Sequence, residues 1–166
     1  QVKEITEEVI AGFKIEFLVI LFAKNRMTLK IPVDKIEMSG LRKLSSEYEI
    51  KKAIDIMKTA PQQKRIVWAK RAQEYEEKIN SGDPLVVAEV VRDLYKRADR
   101  VEQSFSERQI YEQALGRLAD EYAAIFGLPS DEAVAKIEGI IEKEDKKQQS
   151  NKEKEISKIE EDEDDE

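Results

Sequence analysis

The chain has 166 residues, with 29 Lys and Arg, 36 Asp and Glu, and neither His nor Cys. That composition excludes disulfides, thiolate metal sites, His-based catalytic triads and a histidine switch near neutral pH. The longest apolar run, Phe17 to Ala23, is strand-sized and far short of the roughly 18–20 residues that span a bilayer. The net charge of −7 is unevenly placed: residues 142–166 hold 6 Lys and 12 acids, which leaves residues 1–141 at −1. Acidity therefore belongs to the tail and not to the body. Absence of Cys fits a reducing compartment. The chain opens at Gln1 without a basic-then-apolar signal, so a fragment or a processed form is expected.

Residues 1–44 read as strands. Phe13 to Phe22 (FKIEFLVILF) alternates at Phe13, Ile15 and Phe17 and then becomes apolar on both faces, the pattern of a central strand. Ala11-Gly12 predicts a hairpin turn back to Val2–Ile10. Lys24-Asn25-Arg26 predicts the next turn, into Met27–Ile31, and Pro32 ends that strand. From Ser45 the period becomes helical. Ser46 and Glu49 form a capping box ahead of Ile50, Ala53, Ile54 and Met57, and Pro61 breaks this helix. A second helix is predicted over about 62–79. A third starts at Asp83-Pro84 and runs to about Val101. A fourth is capped by Ser106 with Gln109 and stopped by Gly127. A fifth starts at Ser130 and carries Val134, Ile137, Ile140 and Ile141. After Lys146 apolar residues almost vanish. The reading is α+β: a small β module over 1–44, a helical domain over 45–146, and a disordered acidic tail over 147–166.

The most unusual stretch is Lys58–Arg71 (KTAPQQKRIVWAKR). It holds Lys58, Lys64, Arg65, Lys70 and Arg71, no acid, and the only tryptophan, Trp68. On a helix Lys64, Trp68, Arg71 and Tyr75 share one face. An aromatic flanked by cations suits a surface that tracks phosphates and stacks or wedges at a base step. The competing reading makes Trp68 a core anchor and the lysines ordinary solvent cover. The third helix adds Arg92, Lys96 and Arg100 at steps of four, with Arg97, as a basic stripe or as a solvated face paired with Glu89 and Asp93. Met27–Ile31, as an edge strand, is open to a partner's strand, with Lys30 on that edge. Clustered Glu74, Glu76 and Glu77 read as a solvated face. No Ser sits in a glycine-rich elbow and the glycines are scattered singly, so no enzyme, cofactor, metal or small-molecule substrate is expected.

These residues carry a resemblance. Ile10–Leu21 (IAGFKIEFLVIL), Met27–Val33 (MTLKIPV) and Gly40-Leu41-Arg42 are similar to the second part of the N-terminal module of the CarD/CdnL regulators. Trp68, then Ser81-Gly82-Asp83, then Val87–Leu94 (VAEVVRDL) resembles that family's helical domain, and the likeness spans about 5–126. It implies a cytoplasmic bacterial protein whose Tudor-like β module binds the β subunit of RNA polymerase. It implies a helical domain that meets promoter DNA at the upstream fork of the transcription bubble, where a tryptophan wedges into the minor groove and stabilises the open complex. Trp68 matches that tryptophan, and Lys70 and Arg71 match the basic residues after it. Lys64, Arg92, Lys96 and Arg97 are the further DNA candidates. Lys30, with Met27 and Thr28 on the same strand, matches the polymerase-facing strand. The family's opening strands, with a Tyr-Pro, are absent here, so a truncated β module is expected, and Glu8 falls where some relatives carry a basic polymerase contact. The alternative from another class is a protein–protein adaptor with a strand-docking β module and structural helices.

Overall fold

A computed structural model describes residues 1–22, 25–62, 66–95 and 104–163, with side chains described to residue 150. It is α+β and divides into two compact units, residues 1–43 and 44–166.

The first unit is a three-stranded antiparallel sheet in the order β1-β2-β3, from Val2–Ile10, Phe13–Phe22 and Met27–Pro32. Ala11 and Gly12 both take positive φ, 51° and 83°, which lets a two-residue loop join Ile10 to its partner Phe13 without splaying the strands. β2 is the central strand, and its two-sided apolar run is explained by position. Val19 and Ile20 point to opposite faces and are only 7% and 5% exposed. Two short 3-10 turns follow, Val33–Lys35 and Glu37–Ser39, and the first packs back on β2.

The second unit is helical. In α1 (Glu47–Met57) the Ser46–Glu49 capping box forms as the sequence predicts, and Ile50, Ala53 and Met57 turn inward. α2 (Trp68–Ser81) starts later than expected. Gln62, Ile66 and Val67 are non-helical, and Val67 offers no side-chain cap. Gly82 closes α2 at φ 72°, and the Asp83 carboxylate accepts from Leu85 N–H at 2.9 Å to open α3 (Pro84–Leu94). α3 ends earlier than the periodicity suggests: Tyr95 is extended, and Lys96 to Arg100 lie outside the described residues.

α4 (Phe105–Phe126) is capped by Ser104 with Glu107, not by Ser106 with Gln109. Glutamate at the third position bonds back to the cap N–H, so the S-x-x-E frame wins over S-x-x-Q. α5 (Ser130–Glu163) continues as helix past Lys147, where the sequence reading begins the tail. Its packed part ends near Ile141, the last buried side chain described, although Gln148 still donates to the Lys58 carbonyl at 2.8 Å. The core joins all five helices. Ile50, Ile79, Val90, Val91 and Ile137 are fully buried, so truncating any of them to Ala costs about 2–5 kcal/mol.

Candidate functional site

Trp68 opens the first turn of α2, so its indole emerges at the helix end and not midway along a face. The ring is half-buried against the helical core. Two contacts fix it. Its Nε1 donates to Ser106 Oγ of α4 at 3.0 Å, and the Arg71 guanidinium lies 5.1 Å from the ring centroid. Arg71 also bridges to Glu107 at 3.5 Å, with only 21% and 12% of the two side chains exposed. Ser106 and Glu107 thus hold Trp68 and Arg71 from the neighbouring helix. Sequence reading misses both because it assigns Ser106 to capping; the Ser104–Glu107 frame was the available signal.

The other cations of the predicted patch separate. Lys70 is exposed beside Trp68. Tyr75, one turn further, is buried, and its hydroxyl is pushed above the usual range, first by burial and then by the nearby Asp93 carboxylate. Arg92 is a correction. It is 7% exposed, and its Nε donates to Asp93 Oδ1 at 2.8 Å while Nη1 donates to Thr59 Oγ1 at 3.2 Å. Asp93 in turn accepts from the Gln62 backbone N–H at 2.9 Å. This side chain is buried in an internal network that ties α3 to the chain after α1, and is not part of an exposed basic stripe. Helical spacing alone places Arg92 on a face without saying that the face is dry. Lys64, Lys96 and Arg97 lie outside the described residues.

Around Trp68 the surface is apolar and basic. Val67 and Phe105, at the starts of α2 and α4, are each 77% exposed, and no acid occupies the first turn of α2. Glu107, an acid of the first turn of α4, turns inward onto Arg71. Phe105 escaped the sequence reading altogether. Its signal is that it lies off the Ile110, Tyr111, Ala114, Leu118 core periodicity, on the solvent stripe of Arg108 and Glu112.

The sheet presents Met27, Thr28 and Lys30 on β3, all exposed. Lys30 reaches across β2 and pairs with Glu8 on β1, on the face that carries Val19. Lys14 pairs with Glu7 at 2.9 Å on the opposite face. Glu8 therefore balances Lys30 and is not a separate charge.

Residues 52–138, just over half of the chain, match the CarD C-terminal domain. The chain belongs to the CarD family. The matched stretch runs from α1 into α5 and includes the Trp68 corner; the sheet lies outside it. Across 126 residues, 76% of this chain and 79% of the relative, the sequence is 29% identical to "Putative transcription factor YdeB" of Bacillus subtilis (strain 168). The CarD resemblance read from the residues is thereby established. No helix among the described residues is long and apolar enough to cross a membrane, and no group of three or more metal-binding side chains occurs among them.

Proposed function

We propose that this CarD-family protein is a cytoplasmic regulator of transcription that bridges RNA polymerase and promoter DNA. The helical unit meets the upstream fork of the bubble, and Trp68 wedges at the minor groove there and stabilises the open complex. The observation that carries the reading is the mounting of Trp68. An indole held at a helix end by Ser106 and Arg71, beside exposed Lys70 and with no acid in its turn, is pre-ordered for contact with a nucleic acid. Unstacking one base step costs a few kcal/mol, which a wedge plus phosphate contacts offsets.

The described cations are too few for tight binding alone, since each phosphate contact contributes only about −0.9 to the salt slope. Tethering answers this. The exposed β3 edge, with Met27, Thr28 and Lys30, docks the polymerase β subunit and raises the local DNA concentration to roughly millimolar, where weak contacts suffice. A single aromatic reads little base sequence, so selectivity comes from fork shape. No catalytic step is required of any residue.

The test is open-complex lifetime on a model promoter, with bacterial polymerase and the full chain. The protein should lengthen it, and Trp68→Ala should abolish the gain. An unchanged lifetime with wild-type protein defeats the proposal. The adaptor reading is favoured by one observation, the partial packing of Trp68 on the helical core. It requires that Trp68→Ala destabilise the helices while leaving lifetime untouched.

A further inference from the structure

We propose that Glu107 is a specificity residue: it holds the Arg71 guanidinium back from phosphates and so suppresses binding to plain duplex DNA. This rests on the proposed function above. Lys70 and Arg71 are neighbours in the first turn of α2, yet their states differ. Lys70 is exposed, whereas Arg71 keeps only 21% of its side chain in solvent and bridges to Glu107 Oε1 at 3.5 Å. While that bridge lasts, the cation next to the indole is not offered to a ligand.

The bridge is built to open. Its length of 3.5 Å is long for a charged pair, and Arg71 Nε is buried with no acceptor among the described residues. A guanidinium carries five donors in a fixed fork, and a carboxylate met through Nη2 alone uses few of them. A phosphate, with several acceptor oxygens, fits that fork better. Glu107 has the opposite status. Its Oε2 accepts the Ser104 backbone N–H at 3.2 Å, and its place in the first turn of α4 lies at the positive end of the helix dipole. Departure of Arg71 therefore does not leave this carboxylate uncompensated, the situation that makes most buried pairs costly to break.

The arrangement discriminates by cost. The stretch Lys58–Arg71 contains no acid of its own, so the competitor for its last cation comes from the neighbouring helix. On plain duplex, Arg71 would gain one phosphate contact and would have to give up Glu107 for it. At the fork the Trp68 wedge adds its own stabilisation. The guanidinium lies 5.1 Å from the indole centroid, so a backbone that seats the indole also comes within reach of Arg71. Exchange of Arg71 from carboxylate to phosphate then accompanies wedging and does not occur without it.

The experiment titrates the full chain with a plain duplex at several salt concentrations. Glu107→Gln keeps an acceptor for the α4 cap, because Gln also serves at that position of a capping box, and should melt near wild type. It should bind duplex about eightfold more tightly at about 0.1 M salt, with a salt slope steeper by about 0.9, the signature of one further phosphate contact. In an Arg71→Met background the same change should add nothing. A gain that persists without Arg71 shows that the Glu107 charge itself repels DNA, and the proposal is overturned. Unchanged affinity and slope in Glu107→Gln overturn it as well and leave Arg71 as a fixed support for the indole. If either occurs while wild-type protein lengthens open-complex lifetime, the assignment of Glu107 falls and the proposed function stands. If no form binds DNA, both readings fall together.

Discussion

Arg92 and Asp93 are neighbours in sequence, nearly inaccessible, and joined at 2.8 Å. Removing one member of such a pair leaves a buried charge without its partner. Arg92→Met should therefore destabilise the helical unit by about 3–5 kcal/mol, measured by urea unfolding. A loss below about 1 kcal/mol would mean that the Gln62 backbone N–H and solvent suffice for Asp93. Trp68 behaves differently because it is only half-buried. Trp68→Ala should lower stability by about 1–2 kcal/mol, well short of a core tryptophan. Ser106→Ala should leave the melting temperature close to wild type and change the indole emission, because it frees the Nε1 donor. An unaltered spectrum would show that the bond does not order the ring in solution.

At the scale of single elements, the β sheet and α4 each make a distinct electrostatic statement. Lys30 and Glu8 are both about half exposed, so their pair adds little to stability but sets the local charge of the sheet face. Lys30→Glu alone should weaken binding to the polymerase β subunit in a pull-down at low salt. The swap Lys30→Glu with Glu8→Lys restores the pair. If docking reads Lys30 itself, the swap does not rescue binding; full rescue would instead indicate that only sheet integrity matters.

In α4, Tyr111 is buried and its hydroxyl donates to Glu138 of α5 at 3.2 Å. Burial first, and then the Glu138 charge, raise its ionisation far above the ordinary tyrosine range. The unfolded chain thus loses this proton near pH 10 while the folded chain keeps it. Stability contributed by the neutral phenol is complete below that pH and falls above it, by up to about 1.4 kcal/mol per pH unit. Tyr111→Phe should be less stable at pH 7, through the lost hydrogen bond, and should show a shallower decline above pH 10. Parallel pH profiles for the two proteins would remove Tyr111 as the source.

For the whole molecule, charge is segregated along the chain. Residues 151–166 carry 3 Lys and 9 acids, a net of −6. Ile141 is the last buried side chain described in α5, and the Gln148 bond to Lys58 lies inside the stretch 147–166 that the sequence marks as tail. A truncation that respects the fold therefore starts at Asn151 and not at Lys147. Deleting 151–166 should leave thermal unfolding of the body unchanged. It should also strengthen non-specific DNA binding at low salt, because fewer acids compete with phosphates within a Debye length of about 8–10 Å. Equal affinities for both forms in a titration at two salt concentrations would show that the tail does not screen the basic surface.

Local signals determined much of this protein from sequence alone. The Ala11-Gly12 turn, the two-sided apolar run of β2, the Ser46–Glu49 box, the Asp83-Pro84 start and the Gly127 stop all act over a few residues. Backbone preference and capping chemistry therefore suffice to fix them. The acid-free stretch around Trp68 was legible for the same reason, being a pattern in one segment. What the tertiary structure alone decided is which side chains are spent on others. Helical spacing put Arg92 and Arg71 on a basic surface, yet Asp93 and Glu107 claim their charges. Periodicity places a residue on a face, but only packing says whether that face meets water. Ser106 and Phe105 became visible only when α4 was set against the first turn of α2, 38 residues away in the chain.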